Sequence, residues 1–342
     1  MRTALLLAAL AAIVSAALTG VVRRYAIARS LVDHPNARSS HDRPTPRGGG
    51  LALAAVILGG TASLTLAGWI DVAAGIGIAG GGLAVAAVGW LDDHSSLPPT
   101  VRAGVHLLAA LWAVTWLGGL PALRVGQGAI ALGASGTVLG VLAVAWAINF
   151  YNFMDGIDGL AAGQAVLVAG LGAGFLLGDG VGGLGMVAAL TLGASAGFLA
   201  WNWAPARIFM GDVGSGLLGF VFGALAVGSE QQGSLPALGW LLLLGTFFLD
   251  ATLTLVRRML AGERWFEAHR SHAYQRAVQS GWSHRRVTSV MLLCTALLGL
   301  PAWGVWRGAI TPGAALGAGL LLLTAVYLAV ERRRPMARGP GG

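Results

Sequence analysis

Two adjacent carboxylates, Asp92 and Asp93, close an apolar run that reads Gly89-Trp-Leu-Asp92-Asp93-His-Ser-Ser-Leu97-Pro98-Pro. Neighbouring carboxylates do not both ionise cheaply without a cation or a donor close by, and acids are disfavoured at the C-terminal end of a helix dipole. A divalent metal, a general base, or both would account for the pair. A second group follows in Asn149-Phe-Tyr-Asn152-Phe-Met-Asp155-Gly-Ile-Asp158-Gly, where polar side chains spaced by three fall on a slowly turning stripe of one helical face. Two amides and two carboxylates are oxygen ligands for a hard cation, or hydrogen-bond partners for a ribose and a base. Lipid would penalise such a stripe, so the four groups are expected to converge on a cavity. A third group is Trp201-Asn202-Trp-Ala-Pro-Ala-Arg207-Ile-Phe209-Met-Gly211-Asp212-Val-Gly214-Ser215-Gly216. Free backbone N–H groups at a glycine-rich helix start can hold a phosphate oxygen. Asp212 would repel that phosphate unless a cation lay between them, so a carboxylate, magnesium and a diphosphate form a consistent set. Phe209 offers a face on which a base could stack.

Two further loops add positive charge. Asp33-His-Pro35-Asn-Ala-Arg38-Ser-Ser-His41-Asp-Arg-Pro-Thr-Pro46-Arg47-Gly-Gly-Gly50 is a shaped, non-helical entrance to an apolar run, and its glycine-rich end beside Arg47 suits a phosphate. The last large loop carries Arg257, Arg258, Glu263 and Arg264, then Glu267-Ala-His269-Arg270-Ser-His272-Ala-Tyr274-Gln275-Arg276. Histidines interleaved with arginine can bind phosphate and neutralise charge on a leaving group. The spacing of His269 and His272 would also permit metal ligation, but the neighbouring positive charge argues against it. Asp250 reads either as a site residue or as an ion-pair partner of Arg257.

The elements that must position these groups are membrane helices. Apolar residues make up 56% of the 342, and charged residues only 11%, against about 25% in a soluble domain. Apolar stretches long enough to cross a ~30 Å hydrocarbon core recur at 3–22, 48–68, 72–91, 101–119, 136–151, 159–178, 181–201, 213–229, 234–256, 286–306 and 309–330. The fold expected is all-α, polytopic, with about eleven crossings in one membrane-embedded domain over 1–342. The first twenty residues look like a signal peptide, yet the apolar run is too long and another crossing soon follows, so a retained first crossing is expected. All 22 basic residues are arginine, and alternate loops leave only Arg2, Arg124 and Arg307 on one side. The positive-inside rule then puts the N-terminus in the periplasm and the C-terminus in the cytoplasm of an inner-membrane protein. Of 14 carboxylates, only Asp71, Asp179 and Glu230 fall in outside loops. The working face is therefore cytoplasmic, built from loops 23–47, 92–100, 149–160, 201–216 and 257–286. The basic balance reflects topology and anionic headgroups; no folded basic face with base-stacking aromatics points to nucleic acid. The lone Cys294 lies in an apolar segment, so there is no disulfide framework.

In this order, Pro35–Arg38–His41 with Pro46–Gly50, Asp92-Asp93…Leu97-Pro98, Asn149…Gly159, Gly211-Asp212…Gly216 and His269-Arg-Ser-His272 resemble the polyprenyl-phosphate N-acetylhexosamine-1-phosphate transferases of glycosyltransferase family 4. That superfamily includes the phospho-N-acetylmuramoyl-pentapeptide transferase. The resemblance spans 33–276. It implies ten or eleven helices and magnesium, with manganese as a substitute, on Asp212 and Asn152, the diphosphate completing the shell. It makes Asp92 the group that deprotonates or positions the lipid phosphate, with Asp93 beside it. Arg47, Asn149, Asp155, Asp158, Asn202 and Phe209 fall to the nucleotide sugar, Phe209 stacking on uracil. His269, Arg270 and His272 fall to the diphosphate or sugar. The implied partners are undecaprenyl or another polyprenyl phosphate, a UDP-N-acetylhexosamine, membrane lipids and a second copy of the chain. A lipid phosphate oxygen would attack the β-phosphorus directly and release UMP. The last loop lacks a run of consecutive histidines and resembles the subgroup that begins O-antigen or other surface polysaccharide with a 6-deoxy amino sugar. Pentapeptide transfer is the alternative within the superfamily. A transporter is the alternative outside it, disfavoured because the carboxylates gather at one face rather than the midplane.

Overall fold

The computed structural model describes residues 1–33, 35, 43–126, 128–263 and 269–336. Its helices are α1 (Arg2–Ala28), α2 (Gly50–Leu66), α3 (Val72–Ser95), α4 (Pro99–Trp116), α5 (Ala134–Phe153), α6 (Leu160–Gly178), α7 (Gly182–Asn202), α8 (Asp212–Gln231), α9 (Ala237–Leu243), α10 (Gly245–Leu260), α11 (Ala273–Gln279), α12 (His284–Trp306) and α13 (Pro312–Arg333). Helix dominates because a chain in hydrocarbon must satisfy its backbone internally. Two small antiparallel ribbons depart from the all-α expectation. β1 (Val32–Asp33) pairs with β2 (Thr45–Pro46), and β3 (Ala122–Arg124) with β4 (Ala129–Ala131). Both lie in loops between helices, where the backbone must pair locally.

Helix starts are set by residues the sequence supplies there. The Asp71 carboxylate accepts from the N–H groups of Ala73 and Ala74 at 2.9 and 3.2 Å, Pro99 opens α4 behind Pro98, and Ser283 and Thr311 cap α12 and α13. A helix stands at every expected crossing. Among the described residues, eight are long and apolar enough to span a membrane, or nine if α9 and α10 count as one. The other two expected crossings are α2, with 17 residues, and α4, whose apolarity is lowered by Arg102 and His106 in its first half.

The segment 234–256, drawn from sequence as one crossing, is two helices bent by 82° at Leu244. The Gln164 amide donates to the Leu243 carbonyl at 3.2 Å, and its oxygen accepts from Thr295, which meets Thr246. This buried polar chain stabilises a carbonyl at the break, which apolar patterning does not reveal. At the centre, α8 is buried for 89% of its spanning window, whereas α1 and α13 at the periphery are 22% and 17% buried. Its starting residue, Asp212, is therefore presented from the best-packed element. α1 is pinned to α7 by the Ser15 hydroxyl on the Ala194 carbonyl at 2.7 Å. The ends of α3, α5, α7 and α10 and the starts of α4, α6, α8 and α12 all lie at one end of the bundle, the arginine-rich one.

Candidate active site

The last turn of α3 meets the first turn of α8 because glycine occupies both approach points. A Cβ on Gly89 would come 2.7 Å from the Asp212 backbone, and a Cβ on Gly211, whose φ is +74°, would come 2.6 Å from Asp93 Oδ2. Asp92, Asp93 and Asp212 are thereby gathered. Asp93 Oδ1 accepts from the Asp212 N–H at 3.3 Å and so caps α8 from another helix. Its Oδ2 is buried and has no hydrogen-bond partner among the described residues. The Asp212 carboxyl group meets the Asn152 amide and the Asp92 carboxyl group. Arg102, in the first turn of α4, lies 2.5 Å from Asp92 Oδ2 and 3.6 Å from Asp212 Oδ2. Asp92 Oδ1 also accepts from the Leu97 N–H at 2.6 Å. Arg47 enters from the loop before α2 and donates to the Asp93 carbonyl.

Among the described residues, Asp92, Asp93, Asp155 and Asp212 thus gather four carboxyl groups against the Arg47 and Arg102 side chains at the heart of the site. Such an excess of negative charge favours a cation. Among the described residues, no group of three His, Cys, Asp or Glu side chains is arranged to hold a metal alone. One carboxylate (Asp212) and one amide oxygen (Asn152), beside an orphaned buried carboxylate oxygen, fit a cation that keeps waters and takes the rest of its shell from substrate phosphates. That is the habit of magnesium.

The two glycine-rich helix starts correct an expectation. The N–H groups of Gly49 and Gly50 donate to the carbonyls of Phe209 and Met210 at 2.9 and 2.8 Å, and the Phe209 N–H donates to the Pro46 carbonyl at 2.8 Å. With Asp93 on the α8 start, these N–H groups are occupied by the protein itself. Phe209 is half-buried beside this seam.

The polar stripe of α5 also ends sooner than its spacing suggests. The helix stops at Phe153, so Asn149 and Asn152 are helical whereas Asp155 and Asp158 lie in the loop that follows. Asn152 turns to Asp212; the Asn149 amide turns back on the Ala145 carbonyl at 2.7 Å. Asp158 Oδ2 accepts from the Ala206 N–H at 3.0 Å, Oδ1 lies 3.3 Å from His284 Nδ1, and the Asp158 carbonyl accepts from Thr288 at 2.9 Å. Asn202 is buried, its oxygen accepting from the Gly159 N–H at 3.0 Å and its amide donating to the Ile208 carbonyl at 2.9 Å. Both residues, assigned to substrate from sequence, are spent on bracing the loops that wall the site.

Asp155 behaves differently. Desolvation, then the charges of Asp93 and Asp158, push its carboxyl up to about 7. Because the folded value exceeds the unfolded one of about 4, Asp155 contributes stability that is full below about pH 4. That contribution is lost as pH rises towards and through about 7. In Asp155→Asn, thermal unfolding is therefore expected to lose pH dependence over this window. A parent-like decline between pH 5 and 8 in the variant would refute the assignment.

In the last loop, Arg264 and Glu267 lie outside the described residues, as do Arg38 and His41 of the first. Asp250 is not the partner of Arg257, which instead makes a bidentate pair with Glu331 at 2.9 and 3.0 Å. Buried Asp250 accepts from the N–H groups of Ala273 and Tyr274 at 2.7 and 3.0 Å and lies 3.6 Å from His272 Nδ1, so it seats the start of α11. His272 is buried there, between Phe153 and Tyr274, and belongs to the floor beneath the loop. His269 is packed against it with ring centroids 4.9 Å apart. Burial foremost, then His272 and Arg258, lower the His269 imidazole to about 3. It is therefore uncharged near neutrality and offers a hydrogen bond, not the positive charge expected of it; Arg270 beside it carries that charge.

In the sequence Arg102 is one of the 19 arginines left on the cytoplasmic side once Arg2, Arg124 and Arg307 are set apart from the 22, and it counts there towards topology alone. An arginine one turn inside an apolar run, just after Leu97-Pro98-Pro99, is as costly as the carboxylates were, and that signal could have found it. Tyr274, whose hydroxyl donates to the Phe153 carbonyl at 3.0 Å, and His284 carried no comparable signal.

Comparison with known proteins gives the family. The glycosyl transferase family 4 profile matches residues 75–230, which include the Asp92–Asp93, Asn149–Asp158 and Asp212 blocks. The decaprenyl-phosphate N-acetylglucosaminephosphotransferase of Mycobacterium tuberculosis is 32% identical over 322 residues, covering 85% of this chain and 80% of that one. The probable undecaprenyl-phosphate N-acetylglucosaminyl 1-phosphate transferase of Bacillus subtilis is 30% identical over 292 residues, covering 83% and 80%. The phospho-N-acetylmuramoyl-pentapeptide-transferase of Acaryochloris marina is 31% identical over 246 residues, covering 65% and 64%. With relatives this similar along most of its length, and a carboxylate–amide–arginine cluster gathered at one end of a membrane bundle, the chain belongs to glycosyl transferase family 4.

Proposed function

We propose that this protein transfers N-acetylglucosamine 1-phosphate from UDP-N-acetylglucosamine to a polyprenyl phosphate such as undecaprenyl phosphate, releasing UMP. The product would begin a lipid-linked envelope glycan such as O-antigen. The observation that carries the reading is the convergence of Asp92, Asp93, Asn152, Arg102 and Asp212 where both a lipid phosphate and a soluble diphosphate can reach. The names of the N-acetylglucosamine relatives support the donor. We take the chain to cross the inner membrane eleven times, α9 and α10 forming one crossing, with the N-terminus outside and the site facing the cytoplasm. The arginine distribution supports this orientation.

Phosphoryl transfer asks a protein mainly for positioning and for neutralisation of charge. Arg102 is placed to meet the lipid phosphate, while Asp92 and the Leu97 N–H fix its direction. An oxygen of that phosphate forms the new bond to the β-phosphorus. The bond from the β-phosphorus to the bridging oxygen breaks, and its electron pair leaves with UMP. Arg47 and Arg270 balance the diphosphate. Asp212 and Asn152 would hold magnesium, with manganese a substitute, which neutralises the diphosphate when bound. Asp155 and the face of Phe209 bound the nucleotide side.

Purified protein in detergent, given polyprenyl phosphate and a panel of UDP-sugars, tests the reading through UMP. Release is expected to be greatest with UDP-N-acetylglucosamine, to require the lipid, to stop with EDTA and to return with magnesium. The 6-deoxy amino sugars suggested by the last loop, and UDP-N-acetylmuramoyl-pentapeptide, are the competing donors. A clear preference for either moves the assignment to that donor. Phe209→Ala is expected to raise the KM for the nucleotide sugar about fivefold or more, from loss of about 1–3 kcal/mol of stacking. An unchanged KM would return Phe209 to the packing.

A further inference from the structure

A cavity of about 200 Å³ lies between α11, the start of α12 and the end of α13. Ala277, Val287, Val290, Met291, Val326 and Val330 give it an apolar wall. Trp282 and Arg333 also line it, and Trp282 is flanked by two cations. The Arg286 guanidinium lies 4.0 Å and the Arg333 guanidinium 5.3 Å from its ring. Neither arginine enters an ion pair among the described residues. Helix ends with Trp and Arg are where a membrane protein meets headgroups.

An apolar hollow beside two cations that meet no described carboxylate is complementary to an amphiphile with a hydrocarbon tail and a negative head. A free nucleotide would find no polar wall, and a zwitterionic lipid would bring its own cation towards the arginines. We propose that this cavity seats one acyl chain of an anionic glycerophospholipid, with the phosphodiester on Arg286 and Arg333. The cavity shares Tyr274 with the candidate active site. That residue lines the hollow, while its N–H donates to Asp250 and its hydroxyl to the Phe153 carbonyl. A bound lipid would thus hold the floor of the site from behind without touching a substrate.

Thermal unfolding of the full chain in neutral detergent tests this apart from catalysis. Dioctanoyl phosphatidylglycerol is expected to raise the Tm by about 2–4 °C at saturating concentration. Dioctanoyl phosphatidylcholine and inorganic phosphate are expected to leave it unchanged. The double variant Arg286→Gln with Arg333→Gln should weaken the phosphatidylglycerol response roughly 10- to 30-fold in concentration. Ala329→Phe, which fills the hollow, should abolish it. Native mass spectrometry should show one phosphatidylglycerol retained by the parent and lost from both variants. The proposal is overturned by an equal Tm response in the arginine variant, by the same rise with phosphatidylcholine or phosphate, or by a rise confined to polyprenyl phosphate.

Discussion

Asp212→Asn is expected to lower turnover by about 10³-fold or more while leaving the folded protein at least as stable as the parent. The activity loss follows from position. Asp212 meets Asn152, Asp92 and Arg102 together, and removing a single group that stabilises transferring phosphate costs on the order of 10²–10⁵. The stability effect follows from charge, because the site crowds acidic groups against Arg47 and Arg102, and one fewer charge relieves that repulsion. The change to Asn preserves the shape of the α8 start. Turnover from UMP release and Tm in metal-free buffer decide the matter. A fall in both would make Asp212 a structural residue, and near-parent turnover would remove it from the site.

Asp250→Ala is expected to destabilise the protein by about 3 kcal/mol or more and to abolish activity with it. The substitution strips a buried acceptor from the N–H groups of Ala273 and Tyr274 and from the Thr254 hydroxyl. Each buried polar group left unsatisfied costs about 1–3 kcal/mol. α11 would lose its seat, and with it the anchor of Tyr274 under Phe153. If Asp250 were instead an exposed ion-pair partner of Arg257, the loss would stay below about 1 kcal/mol. Thermal unfolding of Asp250→Ala beside Glu331→Gln, which removes the charge that Arg257 does use, separates these outcomes.

The cluster of Asp92, Asp93, Asn152 and Asp212 was legible because polar groups at the edge of hydrocarbon are expensive, and their cost marks them in a sequence that is otherwise apolar. The membrane bundle was legible for the same reason. What escaped the sequence depends on which partner a group finds. Free N–H groups at Gly49, Gly50 and Asp212 were natural phosphate seats until tertiary packing brought carbonyls and Asp93 onto them. Asp155 and Asp158 kept the period of a helix although the helix ends at Phe153. Asn202 and Asp158 have the chemistry of ligands, yet backbone groups from neighbouring loops claim them. The bend at Leu244 leaves no proline behind; its support comes from Gln164 and Thr295, far away in the chain. Arg102 was hidden among arginines that report only topology.

In the proposed reaction a sugar 1-phosphate, and not a sugar alone, moves to the lipid. It is tested most directly with UDP-N-acetylglucosamine carrying one radiolabel in the sugar and a second in the β-phosphate, incubated with the purified protein, polyprenyl phosphate and magnesium. Both labels are expected to enter the lipid fraction in equal molar amounts, matched by UMP in the aqueous phase and absent with Asp212→Asn. Sugar label in the lipid without β-phosphate label, accompanied by UDP, or no lipid label from folded protein, would contradict it.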